Sequence, residues 1–234
     1  TYCLDKQVAD SACTSTAYMT GVKTNYGTLG INGHVKRHDC TTQLNTTNHV
    51  DSILQWAINN GRSAGIVTTT RITHASPAGG YSHVANRDWE SDKDLAKDGA
   101  ELCKDIAKQL VTQEPGKSLS VVMGGGRRAF LGRKQVDDEG TRGNRRDGRN
   151  LIDEWMKGKA ARGQRAAYSW NRKSVQDIIA HPEKYDNVLG LYEDTHMQYH
   201  LEASPETEPT LEEMTEAAIK VLSKNKNGFV LFVE

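Results

Sequence analysis

The chain has 234 residues, 36% of them hydrophobic, with 30 basic and 30 acidic side chains and a formal net charge of zero at pH 7. That length and apolar content support a substantial folded core and exclude a wholly disordered chain. The balanced charge gives no overall field toward nucleic acid or an anionic membrane, and no apolar window approaches the ~20 residues of a membrane-spanning helix.

The first element covers Val8-Ala9-Asp10-Ser11-Ala12-Cys13-Thr14-Ser15-Thr16-Ala17-Tyr18, a serine beside a carboxylate and then small residues suited to a closely packed helix. Two readings of Asp10-Ser11 stand. A side-chain oxygen there can cap the helix by accepting an amide proton of its first turn. Ser11 can also be a nucleophile, but a hydroxyl needs a base, a lowered pKa or a metal, and none is adjacent, so its activator lies elsewhere. The readings are compatible, because a helix N-terminus favours an anion.

Gly27, Gly30 and Gly33 mark turns, and residues 34–48 are mostly polar. The spacing of Val50, Ile53, Leu54 and Ala57 predicts a helix that starts near residues 48–51 and ends at Asn59-Asn60-Gly61. The β-branched run at 64–69 predicts a buried strand, and α/β folds place ligand chemistry beyond the carboxyl ends of such strands. Residues 70–89 follow there. His74 and Ser76 can approach one ion, Pro77 places a loop-to-helix transition close to Ser76, and Arg87 offers forked donors for phosphate or carboxylate. The alternative is a set of ordinary surface polar groups.

Glu90, Asp92, Asp94 and Asp98 lead into a predicted helix carrying Leu102, Ile106, Ala107 and Leu110, with Cys103 near its buried side. A strand at 118–123 runs into Gly124-Gly125-Gly126, which lacks P-loop and dinucleotide spacing and reads as tight turning, with Arg127-Arg128 anchoring the loop or an acidic surface. The basic run Arg142, Arg145, Arg146 and Arg149, interrupted by Asp147, reads as a solvated loop rather than a phosphate patch. A helix near 151–156 and a strand within 165–170 come next. Glu202, Glu206, Glu208, Glu212 and Glu213 lack EF-hand spacing and read as a solvated face leading into a helix from Thr210 with Ala217, Ala218, Val221 and Leu222 inward. Residues 228–234 read as a buried strand, and its place at the end of the sequence is the expectation for a piece of a longer protein. The rhythm of helix and strand predicts an α/β sandwich with a mainly parallel sheet. Four cysteines without zinc spacing, and the acceptor pattern Asn45-Thr46-Thr47, lean toward an oxidising, extracellular setting.

The run from Val8 through Asp10-Ser11-Ala12-Cys13 to Thr16 resembles the phosphoserine signature of alkaline phosphatases. Residues 68–89 resemble a second active-site segment of the animal enzymes, Gly190-Leu191-Tyr192-Glu193 a third, and 228–234 the strand bearing a magnesium-binding glutamate. These segments follow the family order across essentially the whole chain, in a form similar to secreted or membrane-anchored animal members, with an insect cast in Ser11-Ala12-Cys13 and Tyr2-Cys3.

The resemblance implies a three-layer α/β/α sandwich, incomplete at both ends, in which residues 1–234 are part of a catalytic domain and about 140–210 form an inserted surface region. It implies metal-dependent hydrolysis of phosphate monoesters through a phosphoserine at Ser11, with Asp10 positioning its neighbours, Arg87 holding two phosphate oxygens, and zinc supplying activation. Ser76 and Glu234 match magnesium ligands, with His74 in the shell outside them. Glu154, the Tyr192 carbonyl, Glu193 and Glu208 match a calcium site of the animal forms, where the family ends in an aspartate and Glu208 is one methylene longer.

Cys40 and Cys103 match a disulfide of the animal enzymes, which leaves a second bridge open to Cys3 and Cys13. Cys13 stands where glycine is common, and Ser15 where glycine or alanine is. The family's zinc ligands match positions outside this sequence. The expectation is therefore an active zinc and magnesium phosphomonoesterase as the parent protein and an inactive isolated piece. A homodimer, GPI attachment at the extracellular face or secretion, glycosylation at Asn45 and no nucleic-acid partner are further implications. A related phosphodiesterase or sulfatase, and a non-catalytic cell-surface receptor, are the alternatives.

Overall fold

The computed structural model describes residues 2–234, which divide into two compact units, residues 2–56 with 73–117 and residues 57–72 with 118–234. In chain order the elements are α1 (Ser11–Thr20), α2 (Cys40–Gln43), α3 (Ile53–Asn59), β1 (Ser63–Arg71), α4 (Ala75–Ala78), α5 (Asp92–Leu95), α6 (Ile106–Thr112), β2 (Val121–Gly125), α7 (Leu151–Ala160), β3 (Ala166–Ser169), α8 (Arg172–Ala180), β4 (Asn187–Leu191), α9 (Leu211–Leu222) and β5 (Phe229–Val233).

The second unit holds the sheet. Its order is β3-β4-β2-β1-β5, and every neighbouring pair is parallel. Parallel strands are covered on both faces, and β2 and β4 are buried along their whole length. Val67, Val121, Met123 and Val188 of the sheet pack with Met214, Ala217, Ala218 and Val221 of α9 and Val175 and Ile178 of α8. The predicted inward face of α9 is thus the one buried. Its start is fixed by a capping box in which Thr210 and Glu213 bond each other's backbone amides. The result is the mixed α/β fold with a mainly parallel sheet flanked by helices that the sequence predicts, in keeping with an α/β/α sandwich.

Several predictions need correction. β5 lies at the sheet edge and is half-buried, because only β1 pairs with it. The helices α8 and the strand β4 have no counterpart in the sequence reading. α8 carries Val175, Ile178 and Ile179 at helical spacing and turns them toward the core, a period present in the sequence but short and set among polar residues. α3 begins at Ile53, where the Ser52 hydroxyl accepts the Gln55 amide at 3.2 Å, while Asn48 belongs to a preceding turn. Leu102 is 84% exposed and precedes α6, whose start is set by Asp105 accepting the Lys108 amide at 2.8 Å. Arg145, predicted in a solvated loop, is fully buried, with its guanidinium on both oxygens of Asp147 at 3.1 and 2.8 Å and on the Ala129 carbonyl at 3.2 Å.

In the first unit α1 packs on α4. The Ser15 hydroxyl donates to the Ala75 carbonyl at 3.1 Å, and a Cβ added at Gly79 would fall 1.6 Å from that hydroxyl oxygen. Gly79 is therefore the residue that lets the two helices meet. Disulfides join Cys3 to Cys13 and Cys40 to Cys103, at sequence separations of 10 and 63. By loop-closure entropy these contribute about 3 and about 4 kcal/mol. Among the described residues no helix is long and apolar enough to cross a membrane.

His83 and His49 stack in this unit with ring centroids 4.4 Å apart, and Gln109 brackets the His83 backbone. Burial first, and the facing His49 second, hold the His83 pKa down from 6.5 to about 4. A histidine with a depressed folded pKa stabilises above its unfolded pKa and loses that stability as the pH falls. Unfolding free energy should drop by about 3 kcal/mol between pH 6.5 and about 4 from this group. Urea titrations across that range check it, and His83→Gln should flatten the slope there.

Candidate active site

Asp10 anchors the start of α1. It is the N-cap, extended at φ −99° and ψ 171°, and its Oδ1 accepts the Cys13 amide at 3.1 Å. The same oxygen accepts the Gly27 amide at 3.1 Å, and Oδ2 accepts Arg87 Nη1 at 3.0 Å. Capping therefore falls to Asp10, and Ser11 is the first residue of the helix. Backbone bonding reinforces the ion pair, since the Arg87 amide donates to the Gly27 carbonyl at 2.8 Å.

The second guanidinium nitrogen of Arg87 lies 3.1 Å from His74 Nε2. A guanidinium only donates, so Nε2 accepts and the imidazole proton sits on Nδ1. His74 is the extended residue before α4, and Ser76 and Pro77 lie inside that short helix. The transition expected near Ser76 thus occurs at His74, and Ser76 is buried in helical backbone. Asp10, Ser11, His74, Ser76 and Arg87 all belong to the first unit.

Burial alone would raise the Asp10 pKa, yet the amides of Cys13 and Gly27 and the Arg87 guanidinium outweigh it and hold the carboxyl below its ordinary value. A carboxylate fixed in this way is a weak base and a rigid anchor. Sequence reasoning took Gly27 for a turn only. Its amide as a carboxylate donor left no local signal.

In the second unit, Glu234 stands just beyond β5, and its Oε2 accepts the hydroxyls of Thr68 at 3.1 Å and Thr70 at 3.4 Å from the carboxyl end of β1. The glycine run after β2 is a turn enforced by crowding, because a Cβ at Gly125 would lie 2.1 Å from the Thr195 carbonyl oxygen, and Gly126 has φ +96°. Beyond it Arg127 is fully buried between Asp137 at 2.6 Å and Glu139 at 2.8 Å, the anchoring role anticipated for this pair of arginines.

Glu193 and Glu208 meet through their carboxyl groups. Glu208, predicted on a solvated face, is 5% exposed and accepts the Gln198 amide at 2.9 Å. Burial first, then the charges of Glu193 and Glu139, push its pKa up to about 7. Burial and Glu139 raise Glu193 as well. Glu139 was missed in the sequence because only the fold brings it there. Glu154 is held by the fork of Arg149, with Nε at 2.7 Å and Nη2 on the other oxygen.

Among the described residues, the one group with three donor atoms mutually within 4.8 Å is Cys3, Asp10 and Cys13. By distance it is a possible metal cluster. Its two sulfurs are bonded to each other, however, so as oxidised it offers a single carboxylate and no thiolate.

The sequence profile described as Alkaline phosphatase matches residues 1–234. The chain belongs to the alkaline phosphatase family. It is 53% identical over 236 residues to a membrane-bound alkaline phosphatase of Bombyx mori, covering all of this chain and 42% of that protein. It is 46% identical over 242 residues to the tissue-nonspecific isozyme of alkaline phosphatase from Felis catus, covering 100% of this chain and 44% of that protein. The chain thus spans less than half the length of these curated relatives. Among solved structures, Thermus thermophilus alkaline phosphatase superposes with a TM-score of 0.71 at 25% identity, covering 100% of this chain and 39% of that one. The enzyme of the Antarctic bacterium TAB5 gives 0.68 at 23% identity, covering 100% and 53%, a likeness of fold alone. Membership in the alkaline phosphatases supports phosphatase-type hydrolytic chemistry in general.

Within this alkaline phosphatase segment, Asp10→Ala should cost about 2–3 kcal/mol, more than an exposed cap, because the Arg87 charge and two amides lose their acceptor together. Asp10→Asn should cost less, since it keeps an acceptor for the amides. The lowered Asp10 pKa means that its contribution is complete above about pH 4 and fades as the pH falls through the folded value. Denaturant melts of the three proteins at neutral and acid pH measure both effects, and the gap between wild type and Asp10→Ala should narrow in acid.

Proposed function

We propose that this chain supplies the nucleophile and phosphate clamp of a metal-dependent phosphomonoesterase, with Ser11 attacking phosphorus. The observation that carries this reading is the Arg87 guanidinium, pinned by Asp10 beside a serine at a helix N-terminus. In the reaction the Ser11 oxygen forms a bond to phosphorus as the bond to the leaving alcohol breaks. Water then cleaves the phosphoserine to inorganic phosphate. Arg87 aligns two non-bridging oxygens, and the first turn of α1 favours their negative charge. Asp10 is too well satisfied to take the Ser11 proton and acts as the positioner of Arg87.

Zinc, when bound in the parent protein, supplies activation of the hydroxyl. The zinc ligands are proposed to lie outside this sequence, as the family resemblance implies. His34, His38 and His83 are not proposed as ligands. The isolated chain is accordingly proposed to be inactive. Ser76 and Glu234 are each proposed as oxygen donors to magnesium in the parent protein, with His74 outside them.

Residues of about 140–210 are proposed as a surface region with a calcium site from Glu193, Glu208 and the Tyr192 carbonyl, hard oxygen donors suited to that ion. Glu154 would join them only by leaving Arg149. Asn45 is exposed, and its carbonyl oxygen accepts the Thr47 amide at 3.1 Å and hydroxyl at 2.9 Å, which suits a glycosylation acceptor. Extracellular location, by GPI attachment or secretion, and a homodimer belong to the same proposal for the parent protein.

The test compares a phosphate monoester, a diester and a sulfate ester with the complete, metal-loaded protein. Monoester turnover should dominate, and Ser11→Ala should lower it by about 10³-fold or more. Preferred diester or sulfate turnover would reassign the substrate class. No turnover together with a stable cell-surface complex would favour a receptor. The 234-residue chain alone should release no phosphate above background.

A further inference from the structure

We infer that the Cys3–Cys13 disulfide is a positioning brace for the phosphate clamp, acting on Asp10 and through it on Arg87; the inference rests on the phosphomonoesterase reading. Cys13 is the third residue of α1, and its amide donates to Asp10 Oδ1 at 3.1 Å, beside the Gly27 amide on the same oxygen. Cys3 Sγ lies 3.8 Å from the same oxygen. Both cysteines are buried.

The other arm of the bridge leads to the rest of the clamp. The Leu4 amide, one residue after Cys3, donates to the Thr24 carbonyl at 3.0 Å. The segment from Thr24 reaches Gly27, whose amide donates to Asp10 at 3.1 Å and whose carbonyl accepts the Arg87 amide at 2.8 Å. The disulfide thus closes a frame around the Asp10 carboxylate. One side is the first turn of α1, a second is the chain at residues 3–4, and a third is the turn at Gly27, to which the Arg87 amide is hydrogen-bonded. The remaining sides are hydrogen bonds, which can shear. The sulfur bridge is the covalent side.

The Cys40–Cys103 bridge reaches the clamp less directly, by the His38 amide on the Ala85 carbonyl at 2.9 Å, two residues before Arg87, and it does not approach Asp10. Its sulfurs contact the Ala100 and Cys40 carbonyls, and it spans 63 residues against 10. The longer loop predicts the larger stabilisation from that bridge, while the frame predicts the larger effect on phosphate from the shorter one. The two bridges should therefore separate stability from function.

The experiment uses the complete zinc- and magnesium-loaded protein with Cys3→Ser/Cys13→Ser in one variant and Cys40→Ser/Cys103→Ser in another. The first should lower kcat/KM for a phosphate monoester and raise the inhibition constant of inorganic phosphate, each by about 10-fold, because small displacements of a clamp are costly. Its melting temperature should fall less than that of the second variant, which should keep both constants within about twofold of wild type. Unchanged constants in the first variant, or losses of activity in both that simply follow melting temperature, would overturn the brace.

Should the first variant fail to fold, wild-type protein is treated with a thiol reductant under native conditions, with the bridges followed by intact and peptide mass. Phosphate inhibition should weaken as Cys3–Cys13 opens and recover on reoxidation, and an unchanged constant with that bridge open refutes the proposal. A wild-type protein without monoester turnover counts against the functional reading instead. In that case calorimetric binding of inorganic phosphate still reads the brace, weakened by loss of the bridge if it exists and unchanged if it does not.

Discussion

A buried carboxylate is stable only where its charge is answered, and Asp10 is answered from three directions. The first turn of α1, the turn at Gly27 and the Arg87 guanidinium all donate to it. Removing charge from water costs several kcal/mol, and an ion pair offsets that cost only when the remaining lone pairs are also bonded. Here both oxygens are used. The same bonds that make the burial tolerable fix where α1 begins and where the guanidinium points, so the position of Ser11 follows from the solvation needs of its neighbour. Gly79 extends the constraint, because α4 can carry His74 and Ser76 alongside α1 only where no side chain stands between them.

Much of the fold was legible because it is written in apolar spacing. β1 announces itself by β-branched residues, and α9 by Ala217, Ala218, Val221 and Leu222 behind the Thr210 capping box. What failed to show was burial of charge. Arg145 sits in a run that composition assigns to water, and its burial depends on Asp147 beside it together with a backbone carbonyl contributed from Ala129. Glu208 was misplaced for the same reason, since no feature of an acidic run marks which member turns inward. Leu102 is the converse, an apolar residue at helical spacing that the Asp105 cap leaves outside the helix.

The site was legible in a different way. Local chemistry left Asp10-Ser11 divided between a cap and a nucleophile, and the fold gives the cap to Asp10 alone. The partner that matters most, Arg87, lies 77 residues away in sequence, beyond the reach of any local pattern. The sequence offered Arg87 as a forked donor for phosphate or carboxylate, and resemblance gave it a phosphate to hold, but its pairing with Asp10 came only with the fold. The frame through Leu4, Thr24 and Gly27 had neither signal, because it is built from backbone amides and carbonyls that every residue carries.

Two buried carboxylate sites in this one chain carry opposite pKa shifts, and the contrast separates their chemistry. Burial pushes both upward. At Asp10 two amides and a guanidinium reverse the push, leaving a charge that is fixed and unavailable for proton transfer. At Glu208 a single amide from Gln198 faces two neighbouring carboxylates, and the push prevails to about 7. Arg127 lowers the neighbouring Glu193 somewhat but is itself paired with Asp137 and Glu139, and the push on Glu208 still prevails. Negative charge in the first site is therefore spent on geometry, holding Arg87 for an anion. In the second it is left in excess, so the Glu193–Glu208 pair holds a proton far more readily than Asp10 does.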